Sequence, residues 1–308
     1  MSRDRRKLKR RVLEPIARHA GRLVLPGRAV LDNRYLAGKL LPLAPDEQHA
    51  LLLRAQPGEL HDGLPLPPRR LWERWGWTLE EYLREGRGDV ERMLTHLADA
   101  GVAADATGSV LDFGCAEARM LRFLPGVGER VLWGVDVNAE RIAWCQLNLQ
   151  PPLRFATTTT APHLPFGDDS FDLAYGISVF THISELADAW LLELLRVVRP
   201  GGHLYLTIHD EHTLELLLEQ GVETRNPELA ELVHRFDLQT GALADDWVYF
   251  AVHADPGAQV FYRRDELLRR WSQLAEVRGV EQEAIGYQTA FVLQKTDARP
   301  PRAPTHAT

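Results

Sequence analysis

The sequence predicts an α/β protein with a doubly wound, mostly parallel sheet of seven strands. The first observation is that short apolar runs alternate with amphipathic segments, which is typical of βαβ units. The second is the stretch Val110–Leu121, where an apolar run meets an Asp, an aromatic residue and a Gly, as at the end of a buried parallel strand. The third is a pair of strand-like runs near the end of the chain, which we expect to be antiparallel. A helical N-terminal extension and an insertion after strand five complete the predicted architecture.

Composition places the chain among ordinary globular proteins. Of its 308 residues, 45% are hydrophobic and 26% are charged, which excludes a disordered or fibrous class. The chain has no run of about 18 apolar residues, and its first residues lack the apolar core of a secretory signal. We therefore expect a cytoplasmic protein without a membrane span. The two cysteines, Cys115 and Cys145, suggest neither a disulfide framework nor a zinc cluster.

Residues 1–68 are predicted to form a basic arm followed by a helical extension. Seven Lys or Arg against one Asp give residues 1–11 a charge of +6, in a chain of net charge −7. Such an arm can bind phosphates, but charge runs at a terminus are usually solvated, and we favour that interpretation. The proline-rich Leu64–Pro68 marks the boundary to the main domain, residues 69–295. Residues 296–308 are rich in Pro, Ala and Thr, and we expect a disordered tail.

The main domain begins with an aromatic cluster and a long helix. Three tryptophans lie between residues 72 and 77, and we expect them to pack the extension onto the domain, since this is commoner than stacking on a sugar or base. Residues 79–97 have the spacing of an amphipathic helix. An interruption is expected near Gly86 and Gly88, because glycine is unfavourable inside a helix.

The remaining elements follow in the order that a doubly wound sheet requires. A helix is expected directly after the first strand, and residues 211–257 are expected to be inserted after the fifth. Strands are predicted for residues 130–136, 153–157, 172–177, 202–208, 277–280 and 289–294. Helices are predicted for residues 138–149, 183–198 and 264–274, and the insertion has helical patterns at 214–218 and 229–233 and a strand-like run at 247–252.

Two acidic residues at neighbouring strand ends indicate a nucleoside-binding site. Asp136 follows Asp112 by 24 residues and lies at the tip of the second strand, where a carboxylate can accept hydrogen bonds from both hydroxyls of a ribose. A dinucleotide fits poorly, because the three glycine places of a dinucleotide-binding turn hold Gly114, Ala116 and Arg119. An adenosine derivative that carries an amine and a carboxylate instead of a pyrophosphate fits better, because it places fewer steric demands on the turn.

The ordered motifs of residues 88–295 resemble those of class I S-adenosylmethionine-dependent methyltransferases. The resemblance implies a Rossmann-like fold and S-adenosylmethionine as the cofactor. It rests on the turn Val110–Leu121, on Gly134-Val-Asp136, on residues 164–172 (LPFGDDSFD) before strand four and residues 178–183 (SVFTHI) after it, on residues 195–202 (LRVVRPGG) before strand five, and on Gly286-Tyr-Gln288 in the closing strands.

The resemblance also implies which residues hold the cofactor. Ala116 and Ala118 stand where the family usually has Gly, and each is tolerable there if its φ angle is negative. The implied cofactor-binding residues are Asp112, Gly114, Cys115 and Ala116 at the methionine end, Asp136 at the ribose, Val137, Pro162 and Leu164 beside the adenine, and Tyr175 and Gly176 near the sulfonium.

The residues after strands four and five narrow the chemistry of the methyl acceptor. Ser178–His182 replaces the Asn/Asp-Pro-Pro-Tyr/Phe motif of enzymes that methylate base amines, and no Pro-Cys pair is present for attack on cytosine, so nucleic acid is not the expected partner. Methylation of a hydroxyl needs a base within hydrogen-bond reach, and His182, His209 and Asp210 lie at the appropriate strand ends. The run His209–His212 could bind a divalent metal, but we interpret it as an exposed polar loop and predict no metal site.

The sequence therefore predicts a methyltransferase that acts on a small-molecule or glycan-type acceptor, at oxygen, with His182 and His209 as candidate catalytic residues. The insertion at residues 211–257 and the N-terminal extension would shape the acceptor pocket. Two alternatives remain open: a non-catalytic binding or scaffold protein that keeps the fold, and a nucleic-acid modifier guided by the basic arm. The sequence does not predict the oligomeric state.

Overall fold

The structure is a computed structural model that describes most of the main domain. The described residues are 59–72, 77–103, 108–220, 229, 231, 233, 248–254 and 257–296. The basic arm, Trp75 and residues 297–308 lie outside them. Within the described ranges, none of the helices has the length and apolar character that crossing a membrane requires.

Seven strands form one central sheet, and two short hairpins accompany it. The strands are β1 (Leu60–His61), β2 (Leu64–Pro65), β3 (Ser109–Phe113), β4 (Val131–Asp136), β5 (Arg154–Thr157), β6 (Phe171–Gly176), β7 (Val198–Ile208), β8 (Tyr249–Ala254), β9 (Gly257–Tyr262), β10 (Glu276–Ile285) and β11 (Gln288–Gln294). The sheet has the order β10-β11-β7-β6-β3-β4-β5, while β1 pairs with β2 and β8 pairs with β9.

The pairing of the strands confirms the doubly wound prediction. β3 pairs in parallel with β4 on one side and with β6 on the other. The chain therefore leaves β3 in one direction and later returns on its other side, which makes the carboxyl end of β3 the switch point where such sheets bind ligands. The closing strands are antiparallel as expected: β11 lies between β7 and β10 and is antiparallel to both.

Five α-helices are complete within the described residues. They are α1 (Leu79–Asp99), α2 (Ala139–Leu149), α3 (Ala187–Val197), α4 (Glu211–Gln220) and α5 (Arg264–Trp271). One apolar cluster joins residues of α1 and α2 to alternate strand residues such as Val110 and Leu132. A second joins residues of α3 and α5 to Leu111 and Val135, which point to the opposite face because successive strand side chains alternate.

Helix α1 is continuous, so the predicted interruption is wrong. It begins with a capping box at Thr78 and Glu81 and runs through Gly86 without a break. The glycine is explained by packing, because a Cβ atom at Gly86 would lie 2.8 Å from the carbonyl oxygen of Arg119. Glycine lowers the stability of a helix, but at position 86 it lets α1 pack closely against the turn that follows β3.

The predicted helix directly after β3 is also wrong. The segment between Phe113 and β4 consists of turns and a 3-10 helix at Leu121–Phe123. Contacts with the β1–β2 hairpin fix this segment. The Arg122 guanidinium donates to the carbonyl oxygens of Leu64 (3.0 Å) and Pro65 (3.1 Å). Arg119 pairs with Asp89 of α1 at 2.7 Å.

The insertion differs from its prediction at both ends. Helix α4 spans residues 211–220 and is longer than predicted, and a second strand, β9, extends the inserted hairpin to Tyr262. Of the second helical pattern, Leu229, Glu231 and Val233 are helical. The helix predicted for residues 183–198 is shorter in the structure, where α3 begins at Ala187. A separate 3-10 helix, Phe180–His182, lies before it.

Candidate functional site

The turn after β3 is tied to the neighbouring strand by its own backbone. The N–H groups of Gly114 and Cys115 both donate to the carbonyl oxygen of Val135, at 2.8 and 3.0 Å. Gly114 has a φ of 86°, and a Cβ atom there would overlap the Val179 side chain. Glycine is therefore needed at this position both for its conformation and for the close approach of the turn after β6.

The Asp136 carboxylate joins the ends of β3 and β4. Its Oδ2 atom accepts a hydrogen bond from the Ala116 N–H at 2.9 Å, and its Oδ1 atom accepts one from the Asn138 N–H at 2.6 Å. The residue is 9% exposed. Backbone donors thus fix the carboxylate at the carboxyl ends of β3 and β4.

Ala116 and Ala118 adopt left-handed backbone conformations. Their φ angles are +49° and +66°, so the condition of a negative φ, on which their tolerance was expected to depend, is not met. Left-handed conformations at residues other than glycine cost about 1–3 kcal/mol each and persist where surrounding contacts hold them. Asp136 supplies such a contact to Ala116, and Ala118 is fully buried in the core. The turn therefore keeps a glycine-like path with two added methyl groups.

The other residues implied at the cofactor end are buried around this turn. Asp112 is 4% exposed, and Tyr175 of the adjacent strand is fully buried. Burial and the nearby Asp112 carboxylate raise the pKa of the Tyr175 hydroxyl well above its usual value. A Cβ atom on Gly176 would lie 3.3 Å from the Phe113 ring, so this glycine allows β6 and β3 to pack closely.

The two cysteines are free and buried beside the same turn. The Sγ atoms of Cys115 and Cys145 lie 3.7 and 3.9 Å from the carbonyl oxygen of Ala116. Burial raises the pKa of both thiols well above the usual value, so both remain protonated at neutral pH. Both side chains belong to the apolar cluster beneath the turn.

The residues implied beside the adenine lie after β4 and β5. Val137 and Pro162 are half-buried, whereas the Leu164 side chain is fully buried in the core. The Leu164 N–H donates to Glu193 Oε1 at 2.5 Å, which anchors the loop to α3. Val137 and Pro162 thus keep surface that a ligand can touch.

His182 lies on the 3-10 helix that follows β6, and its tautomer can be assigned. Its Nδ1 atom is 2.8 Å from the carbonyl oxygen of Ala258 on β9. Because a carbonyl oxygen only accepts hydrogen bonds, Nδ1 carries the proton. In the neutral ring with this proton, the lone pair is on Nε2, and the side chain is exposed.

His209, at the end of β7, is buried without a hydrogen-bond partner. The residue is 2% exposed, and among the described residues neither ring nitrogen has a partner. Its ring packs against Phe261 and Tyr287, with centroids 5.2 and 5.5 Å away. Burial, with a smaller contribution from the nearby His182, lowers the pKa of His209 to about 3. The imidazole is therefore neutral at physiological pH.

The run His209–His212 is a strand end and a helix start, so its interpretation as an exposed loop is wrong. Asp210 is fully buried and accepts hydrogen bonds from the Thr213 N–H (3.1 Å) and the Thr289 hydroxyl (2.7 Å). His212 instead meets Glu283 at 3.0 Å. Glu211 accepts from the Arg264 N–H at 3.0 Å, so the polar partners of Asp210, Glu211 and His212 all differ. The part of the chain that the structure describes contains no cluster of three or more metal-ligating side chains.

Three polar side chains that the sequence analysis did not assign form a closed network between β6, β7 and β11. The Thr207 hydroxyl donates to Gln288 Oε1 (2.6 Å), Gln288 Nε2 donates to Ser178 Oγ (2.6 Å), and the Ser178 N–H donates back to Thr207 Oγ1 (2.8 Å). Ser178 has a φ of +58°. The signal in the sequence was the motif Gly286-Tyr-Gln288, to which no role was given.

Comparison with known proteins gives one family match within the sheet. Residues 111–206 match the family model described as a methyltransferase domain. The chain is 38% identical over 71 residues to the phthiotriol/phenolphthiotriol dimycocerosates methyltransferase of Mycobacterium leprae (strain TN), covering 23% of this chain and 26% of that protein. It is 31% identical over 104 residues to the O-methyltransferase cnsE of Penicillium expansum, covering 32% and 36%. The chain thus spans about a quarter to a third of the length of these relatives.

Among solved structures, the chain resembles the PH0226 protein of Pyrococcus horikoshii OT3. The superposition has a TM-score of 0.48 at 16% sequence identity, and it covers 68% of this chain and 91% of that protein.

Proposed function

We propose that this chain, which contains a methyltransferase domain of the class I S-adenosylmethionine-dependent family, transfers a methyl group to a hydroxyl of an uncharged small molecule. The observation that carries the proposal is the geometry of Asp136. Its carboxylate is fixed by the N–H groups of Ala116 and Asn138, at the switch point where such sheets bind ligands.

The cofactor would lie across the carboxyl ends of β3 and β4. In this proposal Asp112, Gly114, Cys115 and Ala116 surround the methionine end, and Asp136 accepts hydrogen bonds from the ribose hydroxyls. Val137 and Pro162 flank the adenine, and Leu164 supports their loop from the core. Tyr175 and Gly176 form the floor below the sulfonium. When bound, S-adenosylmethionine supplies an electrophilic methyl group on a positively charged sulfur.

His182 is the base in this proposal, and His209 is a hydrogen-bonding group. His182 Nδ1–H donates to Ala258, which orients the ring and leaves the Nε2 lone pair available. Nε2 would take the proton of the acceptor hydroxyl while the site holds that hydroxyl in line with the methyl group that the cofactor would supply. His209 is a poor base because its pKa is about 3, but its neutral ring offers one donor and one acceptor to a hydroxyl.

The surroundings of His209 favour an uncharged acceptor with an apolar body. Its ring lies between Phe261 and Tyr287, and Phe261 belongs to an apolar cluster with Leu214 and Leu217 of α4. The nearest carboxylate in sequence, Asp210, is already occupied by Thr213 and Thr289 partners. The relative from Penicillium expansum is named an O-methyltransferase, which agrees with transfer to oxygen.

The first test is calorimetric titration of the full chain with S-adenosylhomocysteine. We expect one binding site per chain, and Asp136→Asn should weaken binding about 10- to 100-fold, because one charged acceptor of the ribose hydroxyls is replaced by an amide. Asp265→Asn is the matched control, since this carboxylate is exposed on α5. A wild-type chain that gives no heat, or an Asp136→Asn variant that binds normally, would overturn the proposal and favour a protein that keeps only the fold.

The second test addresses the acceptor. Full-length protein is incubated with methyl-labelled S-adenosylmethionine and a panel of uncharged phenols and alcohols, charged hydroxy acids, amines and sugars. We expect label in the uncharged hydroxyl compounds, and we expect His182→Gln to lower kcat about 100-fold while the binding of S-adenosylhomocysteine is retained. His61→Gln, in the hairpin of β1 and β2, is the control. Label found only in amines, in charged hydroxy acids or in sugars, whose bodies are polar, would overturn the assignment of an uncharged acceptor with an apolar body.

A further inference from the structure

We propose that Gln288 is a positioning residue for methyl transfer: its carboxamide holds the turn after β6, which carries both a wall of the cofactor site and the base. The inference rests on the proposed function for its catalytic meaning, but its geometric part can be tested without an acceptor. We call the hydrogen-bonded set of Ser178, Thr207 and Gln288 the amide clamp.

The amide clamp uses one donor and one acceptor of the Gln288 carboxamide. Gln288 Oε1 accepts from Thr207, and Gln288 Nε2 donates to Ser178, each at 2.6 Å. Thr207 is fully buried and Gln288 is 5% exposed, so these bonds are shielded from water. An aliphatic side chain at this position would leave the buried Thr207 hydroxyl without an acceptor and would remove the donor to Ser178.

The clamp holds a strained turn. Ser178 has a φ of +58°, which is unfavourable for a residue with a side chain. Two hydrogen bonds oppose relaxation, because both the N–H and the hydroxyl of Ser178 are bonded to clamp partners. The Ser178 carbonyl oxygen also accepts from the Thr181 hydroxyl at 2.9 Å, which continues the turn into the 3-10 helix.

The amide clamp is connected to the proposed site through Val179 and His182. Val179 follows Ser178 directly and packs against Gly114, where a Cβ atom would overlap it. Four residues after Ser178, His182 donates from Nδ1 to Ala258. A rotation of the turn would therefore move the side chain over the cofactor turn and the base together. Gln288 acts through these residues and touches neither the cofactor nor the acceptor in this proposal.

The test uses two nuclear magnetic resonance signals as readouts. In the wild type we expect a cross-relaxation peak between a Val179 methyl group and the Gly114 α-protons, and ¹⁵N shifts of His182 typical of the Nδ1–H tautomer. In Gln288→Leu and Thr207→Val we expect the methyl peak to weaken at least twofold and His182 to become a tautomer mixture. Thr207→Ser keeps the hydroxyl and should restore both signals.

Two further variants keep the test decisive if an altered core is unstable. Ser178→Gly removes the hydroxyl but tolerates a positive φ, so it should fold and still lose the His182 signature. Gln294→Leu is the matched control, because Gln294 lies at the other end of β11 and its Nε2 donates to Gly201 at 3.0 Å. This variant should leave both signals unchanged.

The outcomes separate the clamp from the proposed function. If Gln288→Leu and Ser178→Gly retain both wild-type signals, the positioning role is overturned. If the signals change as expected but the wild type does not bind S-adenosylhomocysteine, the proposed function fails while the clamp geometry stands. With an acceptor from the panel, Gln288→Leu should lower kcat at least tenfold while Gln294→Leu leaves it unchanged, and a Gln288→Leu variant with the wild-type kcat would overturn the positioning role.

Discussion

The two ends of the candidate site differ in how their polar groups are satisfied. At the cofactor end, after β3 and β4, the Asp136 carboxylate is held by two backbone N–H groups. At the acceptor end, after β6 and β7, the buried His209 has no hydrogen-bond partner among the described residues. His182 is bonded to Ala258 through its Nδ1 atom. Both ends contain left-handed residues other than glycine. The difference teaches that the described chain satisfies the buried charge at the first end but leaves a buried polar ring unsatisfied at the second, which agrees with the proposal that a ligand binds there.

The largest expected effect comes from breaking the cofactor end. Asp136→Ala removes the acceptor of two buried backbone N–H groups, and we expect the free energy of unfolding to fall by about 3 kcal/mol, since charged hydrogen bonds contribute about 1.5–3 kcal/mol each. The measurement is urea unfolding, with Asp265→Ala as the exposed control. A loss below about 1 kcal/mol would show that the backbone around Ala116 does not depend on this carboxylate.

The acceptor end should respond in the opposite direction. His209→Phe replaces an unpartnered imidazole by an apolar ring among Phe261 and Tyr287, and we expect stability at pH 7.5 to rise by about 1–2 kcal/mol. A decrease would indicate that His209 has a partner in the free protein. The variant should also no longer transfer a methyl group to any hydroxyl acceptor. That loss would indicate that the substrate hydroxyl is the hydrogen-bond partner that His209 lacks in the free protein.

The pH dependence of unfolding sharpens the same contrast. The pKa of His209 is about 3 in the folded chain and about 6.5 when unfolded, so the unfolded state binds the extra proton between these values. Stability contributed by the neutral ring is complete above about pH 6.5 and is lost as the pH falls. We expect a loss of about 2 kcal/mol from pH 7.5 to pH 5.

The measurement compares the wild type with His209→Phe by urea unfolding at both pH values. The difference between the two proteins isolates His209 from the carboxyl groups that titrate in the same range, among them Glu211, whose pKa is raised by burial. Equal losses in the two proteins would contradict the expectation.

The smallest expected effect concerns the left-handed alanines. Ala118→Gly should change stability by less than about 1 kcal/mol, because relief of backbone strain offsets the lost methyl group and the greater freedom of the unfolded chain. Ala174→Gly, at a buried strand position of β6, has no such relief and should cost about 1 kcal/mol or more. The two variants are compared by urea unfolding, and equal losses would mean that the turn after β3 carries little strain.

The sequence predicts well what depends on local pattern. Apolar runs indicated all seven strands of the sheet, and the spacing of Asp112 and Asp136 indicated two neighbouring strand ends. Predictions failed where distant contacts decide. The segment after β3 is not an α-helix because Ala116 and Ala118 adopt left-handed conformations, one of them bonded to Asp136. Gly86 does not interrupt α1 because the helix packs closely on Arg119.

The acceptor end was less predictable for the same reason. The burial of His209 depends on β9 and on the turn before β11, which lie far away in the chain. The amide clamp joins residues separated by 81 and 110 positions, so no window of sequence contains it. The side-chain assignments at both ends, from Asp112 to His209, remain predictions that the experiments above test.

The position of β11 has a consequence for the order in which the protein can be assembled. This last strand enters between β7 and β10, and its first two residues are Gln288 and Thr289, which reach Ser178, Thr207 and Asp210. A chain that is still being synthesised has every residue of the cofactor end well before these arrive. The ribosome must therefore release nearly the whole domain before the turn that carries His182 can be fixed.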